Sequence, residues 1–129
     1  MTINYTPEGG SVVSLAGTES DLADGPLGLT MSADAIMEET PIIRAAYPYR
    51  VARGNRTYRA GFSVRKKHTD YEAAHAYVLA HVQEFNNVGS AVFTQGSAVL
   101  TLTKAQVRAQ GVSAGATSEW TYEITGIKT

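Results

Sequence analysis

TYRAGFSVRKKHTDYEAAHAYVLAHVQEF, residues 57–85, changes its hydrophobic period from two residues to about 3.6 within one continuous segment. In its first part Tyr58, Phe62 and Val64 alternate with polar or small residues, which is the period of a strand with one buried face. In its second part apolar residues recur at helical spacing along one face, namely Tyr71, Ala74, Val78, Val82 and Phe85. The segment therefore predicts a strand that is followed directly by a helix.

The predicted helix has recognisable ends. Thr69-Asp70-Tyr71-Glu72 matches a capping box, in which the Thr hydroxyl and the Glu carboxylate bond to backbone amides that the first turn leaves unpaired. At the other end, Asn86-Asn87 before Gly89 is typical of a helix C-terminus. We therefore predict one helix over about residues 70–86.

Strand patterns continue on both sides of this segment. Gly54-Asn55 tolerates the positive φ of a tight turn, so we predict a hairpin in which residues 47–53 pair with residues 57–67. The downstream segments with a strand pattern are residues 91–95, 98–103, 106–112 and 119–127. One helix with several antiparallel strands predicts an α+β fold, either an antiparallel β-sheet or a β-sandwich with one flanking helix.

The first 48 residues have little periodicity and many Gly and Pro residues. Residues 11–17 and 28–32 read as short strands, and residues 33–39 as a helical turn opened by Ser32. A long irregular stretch in a compact domain usually has a function in binding or is disordered. We therefore predict a single domain made of an extended acidic N-terminal arm, residues 1–48, and an α+β core, residues 49–129.

Length and composition limit the possible classes of protein. A chain of 129 residues can bury a core as one domain. It contains no cysteine, which excludes a disulfide framework, a thiolate metal site and a Cys nucleophile. Neither a signal peptide nor a long apolar run is evident, so we expect a soluble protein that is made in the cytoplasm and does not bind membranes.

Charge is strongly segregated along the sequence. Residues 1–43 contain seven acidic and no basic residues, whereas residues 44–67 contain eight basic and no acidic residues. Complementary surfaces on different parts of one molecule favour head-to-tail assembly of copies. We hypothesise that a basic hairpin, residues 49–67, contacts the acidic arm of a neighbouring subunit, although an arm folded back on its own hairpin fits the charges equally well.

The predicted interface has two sets of side chains. The basic set is Arg50, Arg53, Arg56, Arg59, Arg65, Lys66 and Lys67. The acidic set is Glu19, Asp21, Asp24, Asp34, Glu38 and Glu39.

Two other interpretations of the basic hairpin are open. It could be a solvated strand face whose cations discourage edge-to-edge aggregation. It could also belong to a nucleic-acid-binding module, since cations beside Tyr49 and Tyr58 could contact phosphates while the rings stack on bases. The sequence pI of about 6.3 and the acidic arm argue against nucleic acid.

Candidate catalytic chemistry is sparse. The pairs Glu72/His75 and His81/Glu84 have a spacing that can bind metal, but such sites need ligands from other helices, and one helix is predicted. We expect these histidines and His68 at the polar surface. No serine-nucleophile, zinc-hydrolase or phosphate-loop motif is present. We therefore predict no catalytic residues, no metal, no cofactor and no enzymatic activity, with a small enzyme acting through His75 and Glu72 as a remote alternative.

The overall organisation resembles a known group of proteins. Its features are the arm, the hairpin around ARGNRTYRAGFSV, the helix DYEAAHAYVLAHVQEF and the closing strands through SEWTYEITG. In these the chain resembles the small structural proteins of tailed bacteriophages and prophages, of the tail-tube, tail-terminator or head-tail joining type. The resemblance implies a non-enzymatic virion protein that assembles with itself into rings or tubes and contacts other virion proteins through arms and loops.

Overall fold

The computed structural model describes residues 1–23, 25–40 and 49–128, and the side chains of residues 35–40 and 49–55 lie outside this description. The strands are β1 Thr2–Pro7, β2 Val13–Ala16, β3 Leu27–Thr40, β4 Tyr49–Lys67, β5 Gly89–Gln95, β6 Ala98–Ala114 and β7 Thr117–Lys128. The helix is α1, Tyr71–His81, and it continues into a 3-10 turn, Val82–Glu84.

The seven strands form one antiparallel sheet in the order β2-β1-β5-β6-β7-β4-β3. The sheet curls into a half-barrel, and α1 packs on β6 and β7 across its concave face. The predicted α+β class with one helix on an antiparallel sheet is thus confirmed, in the form of a single curled sheet that is not a clear sandwich. Within the described ranges no helix is long and apolar enough to cross a bilayer.

The concave face of the sheet carries the hydrophobic core. Phe62 and Val64 of β4 and Trp120 and Tyr122 of β7 are buried, as their alternation with polar residues predicts. The core also takes residues from the start of the chain, which are Ile3, Tyr5, Leu15 and Ala16. Strand β1 lies between β2 and β5, so β1 and β2 of the predicted arm belong to the sheet itself.

The pairing of β4 differs from the predicted hairpin. Strand β4 is continuous through Gly54-Asn55 and pairs with β3, so the predicted turn at that position is wrong. The ladder shifts register there, because Ala35 pairs with Arg56 whereas Met37 pairs with Ala52. Gly54-Asn55 therefore lies in a bulge, a feature that Gly also favours.

The segment before β4 was predicted as a short strand and a helical turn. The strand over residues 28–32 is confirmed, but residues 33–39 continue it as part of β3, so the helical turn is wrong. Alanine, methionine and glutamate do favour helices, but only by tenths of a kcal/mol per residue. A ladder with a long neighbouring strand outweighs that local preference.

Helix α1 occupies the predicted part of the chain, but its cap is shifted by one residue. The N-cap is Asp70, whose carboxylate accepts a hydrogen bond from the backbone N of Ala73 at 2.8 Å. Asp70 has an extended backbone and offers the oxygen that the predicted Thr69 cap would have supplied. The last residues of the predicted helix do not form regular α-helix. They form the 3-10 turn, Val82–Glu84, and the two residues after it.

A two-stranded ribbon extends beyond the body of the sheet. Strand β7 ends at Lys128, which pairs with Arg56. Among the described residues, the part of β4 before Arg56 pairs with β3 alone. We call residues 35–40 and 49–55 the ribbon, and its length along β4 is about 20 Å at 3.3 Å per residue. The segment that joins its two strands, residues 41–48, lies outside the described residues.

Candidate assembly surface

The predicted basic residues do not form one surface, because successive residues of β4 point to opposite faces. Arg59, Arg65 and Lys67 are exposed on the convex face, whereas Lys66 is buried on the concave side. Arg56 is exposed where β7 ends. The side chains of the other two predicted cations, Arg50 and Arg53, lie outside the described part of the structure.

Part of the convex-face charge is balanced by β7. Arg65 Nε lies 3.6 Å from Glu119 Oε2, and Arg108 Nη1 of β6 lies 3.9 Å from Glu123 Oε2. All four side chains are largely exposed, so each pair contributes little to stability. The acidic partners come from β7 and not from the N-terminal arm.

One predicted acid–base pair is made within a single chain. Lys66 Nζ lies 3.4 Å from Asp21 Oδ1, and the two side chains are 4% and 0% exposed. Asp21 also accepts hydrogen bonds from the backbone N of Gly17 and from the backbone N and hydroxyl of Thr18. Asp21 and Lys66 therefore satisfy each other inside one chain and are not accessible to a neighbouring subunit.

The loop that carries Asp21 also bonds to β4 through the backbone. Leu22 N donates to Arg65 O, and Lys67 N donates to Ser20 O, both at 2.8 Å. Strand β2 lies at one edge of the sheet and β4 lies next to the other edge. This short loop after β2 therefore connects the two sides of the half-barrel and closes it at one end.

The remaining acidic residues are distributed over the loop and β3. Glu19 is exposed beside Ser20, and Asp34 is exposed on β3. Glu39 is the register partner of Arg50 in the ribbon, while the side chains of Glu38 and Glu39 lie outside the described part. Asp24 lies outside the described residues altogether. The β3–β4 ladder thus places one predicted acidic residue, Glu39, opposite one predicted basic residue, Arg50, within the same chain.

Three exposed cations of the predicted basic set have no acidic residue opposite them in the ladder, and one of them is Lys67, which lies opposite Thr117. The register partners of Arg56 are Ala35 and Lys128, and those of Arg59 are Ser32 and Thr125. Of the described basic set these three are the best placed to meet charge on another molecule, and Arg56 and Arg59 are the two nearer the ribbon.

A buried polar cluster lies between α1 and the sheet. His81 is only 3% exposed, and its Nε2 lies 2.7 Å from Tyr122 Oη. Its ring stacks on Tyr77 at 4.9 Å and meets Trp120 edge-on at 4.6 Å. Burial, reinforced by the positive charge of Lys66, lowers the pKa of His81 to about 4, so the ring is neutral at neutral pH.

The expected position of His81 at the polar surface is wrong. The buried side of α1 follows Ala74, Tyr77, Val78, His81 and Phe85, whereas Tyr71 and Val82 are exposed. Residue 81 fits the i+3 and i+4 series as well as Val82 does, so the spacing alone does not decide which of the two is buried. Neighbouring aromatic rings with a hydroxyl partner can hold a neutral imidazole in a core.

The other histidines lie nearer the surface. His75 is exposed and bonds to the Ser113 hydroxyl, and Glu72 is exposed beside Tyr71. His68 is partly buried with its Nε2 2.7 Å from Ser118 Oγ, and burial followed by the charge of Lys66 lowers its pKa. Within the described ranges no three His, Asp or Glu side chains converge as a metal site.

Acid should destabilise the protein through His81. Its pKa is about 4 in the folded protein and about 6.5 when unfolded, so between these values the unfolded chain binds more protons. We expect the free energy of unfolding to fall by about 3 kcal/mol as pH decreases across that window, at about 1.4 kcal/mol per pKa unit. Urea denaturation followed by circular dichroism at several pH values would measure this loss.

Two variants isolate the contribution of His81. His81→Gln keeps a polar side chain that does not titrate, and it should remove most of the pH dependence between 4 and 6.5. His75→Gln is the matched control at an exposed position and should leave that dependence unchanged. A full pH dependence in His81→Gln would contradict the assignment.

The chain was compared with known proteins. No protein-family model matches it, and no curated protein sequence matches it. The ribbon, the outermost strand β3 and the exposed cations of β4 are therefore the features from which a function can be inferred.

Proposed function

We propose that the protein is a non-enzymatic structural subunit that assembles with copies of itself into rings or tubes, as a tail component of a tailed bacteriophage or prophage. The observation that carries the proposal is the ribbon, in which β3 and β4 extend beyond β7. A two-stranded ribbon on its own is marginally stable in water. Its length therefore supports a role in contact with another molecule.

The edge of the sheet also supports assembly. Strand β3, Leu27–Thr40, is the outermost strand on its side and presents a row of backbone groups at the described edge. Leu27 and Met31 on this strand are exposed apolar residues. Natural proteins usually shorten, charge or cover such edges, because an open edge pairs with other chains. Because β3 carries three acidic residues towards its end, the exposed apolar part of this edge lies near its start, and a neighbour that covers that part would bury it.

The charged contact that the structure allows includes fewer residues than the contact predicted from the sequence. Asp21 and Lys66 are removed from it, because they pair inside one chain. Among the described side chains, Arg56, Arg59 and Lys67 remain as cations, with Glu19 and Asp34 as acids that a neighbouring subunit could present. Such a contact joins different patches of two copies, so repetition gives a closed ring or an open filament.

Charge reversal tests the contact. Arg56→Glu with Arg59→Glu should abolish assembly, because both cations would repel the acids they are proposed to meet. The fold should persist, since both positions are exposed and residue 56 lies opposite Lys128. Light scattering after size exclusion, on protein free of nucleic acid at about 0.05 and 0.5 M salt, would measure molar mass under weak and strong screening.

The control for this test is a second double reversal, Lys104→Glu with Arg108→Glu. Both residues are exposed on β6, so the change in net charge is the same at a different site. We expect this variant to assemble like the natural protein. Full assembly of the Arg56/Arg59 variant would rule out the charged contact. In a separate binding assay with added DNA or RNA, loss of binding by that variant alone would favour the nucleic-acid-binding alternative.

A further inference from the structure

Strand β6 changes its partners along its length. Residues 98–105 pair with β5, whereas residues 106–114 pair with β7 alone among the described strands. The strands β6, β7, β4 and β3 therefore form one half of the sheet, in which the second half of β6 is the outer strand on one side and β3 is the outer strand on the other. An outer strand presents a row of backbone N–H and C=O groups to any chain that lies beside it.

The side chains at both outer strands are accessible. Every residue of 109–114 and every residue of 27–34 is exposed or half-buried. On β7 and β4, which lie between these strands, the concave side chains of Trp120, Tyr122 and Phe62 are buried. The two outer strands thus lack the cover that the middle of the sheet has.

The free edge of β6 also lacks the usual protection against pairing with another chain. Residues 109–114 read AQGVSA and contain no charged residue and no proline. Val112 in this segment is an apolar residue that is 58% exposed. Charged residues and proline are the common means by which outer strands avoid pairing, so this segment favours the addition of a partner strand.

Helix α1 forms an apolar wall above this edge. His75 bonds to the Ser113 hydroxyl, which holds that side of the helix next to the second half of β6. Leu79 and Val82, four and seven residues after His75, lie on the same side of the helix and are exposed. A strand added to β6 would therefore meet apolar side chains on its concave face.

The geometry points to a head-to-tail contact in which residues 30–34 of β3 in one subunit pair with residues 109–113 of β6 in the next. This inference rests on the proposed self-assembly and names its contact. Within a subunit β3 runs antiparallel to β6, because β4 and β7 lie between them and each neighbouring pair is antiparallel. A copy rotated about an axis along the strands would continue the antiparallel sheet from subunit to subunit, around a ring or along a filament.

The side chain of Met31 agrees with this pairing. Met31 is 42% exposed and lies opposite the buried Ala60, so it belongs to the concave face at the outer strand. In a continued sheet it would lie against Leu79 and Val82 of the next subunit. The pairing uses backbone groups and uncharged side chains, so it does not depend on the proposed charged contact.

Cysteine cross-linking tests the pairing directly, because the natural chain has no cysteine. One subunit carries Thr30→Cys or Ser32→Cys, and the other carries Gln110→Cys or Val112→Cys. All four positions face the convex side, so their four combinations cover the registers that keep the two faces matched. The variants are prepared separately, mixed and mildly oxidised.

We expect at least one combination to give a mixed disulfide dimer in about tenfold excess over the same β3 variant mixed with Val99→Cys, because a disulfide needs Cα atoms within about 7 Å. Val99 is a matched control, since it is an apolar residue of β6 that is 60% exposed but lies in the half that pairs with β5. Within one subunit β3 and the second half of β6 are three strand spacings apart, about 14 Å, so the disulfide must join two subunits.

Further measurements separate this inference from the proposed function. Met31→Lys should reduce the assembled fraction in light scattering several-fold, whereas Val99→Lys should not, and circular dichroism should show both variants folded, since both positions are exposed. Unchanged assembly of Met31→Lys, or assembly of the natural protein without any mixed disulfide, would overturn the strand pairing and leave self-assembly standing. A disulfide of Val112→Cys with itself in place of the mixed one would show that two β6 edges pair, and it would also overturn the inference. A natural protein that stays monomeric would overturn both.

Discussion

Replacement of Trp120 by Ala is expected to lower the free energy of unfolding by about 3–5 kcal/mol, the usual cost of removing a large buried ring. Trp120 is fully buried between the sheet and α1, where its ring meets Tyr77 and His81 edge-on and stacks on Tyr122. Its Nε1 also donates a hydrogen bond to Ser118 Oγ at 3.2 Å. The loss would be measured by urea denaturation with circular dichroism, because the variant has no tryptophan fluorescence.

A second substitution tests whether the effect depends on the packing of the Trp120 ring against Gly111 of β6. A Cβ at Gly111 would lie 2.6 to 2.8 Å from three atoms of the Trp120 ring, so Gly111→Ala should cost about 1–3 kcal/mol by overpacking. The same change in the Trp120→Ala background should cost little, since the opposing ring is gone. The double-mutant cycle therefore predicts strong coupling between the two positions.

Gly61→Ala is the control for this cycle. Gly61 is also a strand glycine, but its nearest neighbour would be the Thr30 hydroxyl at 3.3 Å, on a side chain that can rotate away. Its cost should be small and independent of Trp120. Additive effects of Gly111→Ala and Trp120→Ala would contradict the packing described for β6 and β7.

The second large effect is expected at the buried ion pair. Asp21→Asn would leave the ammonium of Lys66 buried without a carboxylate, which typically costs about 3–5 kcal/mol. Glu119→Gln removes the partner of Arg65 on the exposed face and should cost less than about 1 kcal/mol. Both variants would be compared with the natural protein by urea denaturation under the same conditions.

A compensating variant completes this test. Asp21→Asn with Lys66→Met removes both charges, and an apolar side chain in place of the lysine should recover much of the lost stability. If Asp21→Asn were no more destabilising than Glu119→Gln, the pair would not be desolvated as the structure describes. If the double variant were as unstable as the single one, the loop bonds of Asp21 to Gly17 and Thr18 would account for the effect.

Local patterns identified the elements whose signals lie within a short window. The alternation of Trp120, Tyr122 and Ile124 predicted β7, and the change of period after Lys67 placed the start of α1. Strand β1 was missed, although Ile3 and Tyr5 alternate with polar residues, because the Gly and Pro residues that follow were read as signs of an irregular arm. Gly and Pro residues that separate short strands give the same local signal as Gly and Pro residues within one long loop.

The remaining differences are long-range. Gly54-Asn55 is equally compatible with a turn and a bulge, and only the presence of β3 as a partner decides between them. The charge blocks were visible in the sequence, but their partners depend on which strands are neighbours. Asp21 meets Lys66 within one chain because the loop after β2 reaches β4, a contact that local spacing does not encode.

The long ladders on both sides of β4 also determine how the molecule should respond to force. Hydrogen bonds in antiparallel pairs lie across the strands, so tension applied at the ribbon along β4 shears many of them together. The short β1–β2 pair offers few such bonds and would separate far sooner under the same load. A subunit pulled by its ribbon should therefore transmit tension through the centre of its sheet, and its weakest mechanical point should be the N-terminal edge.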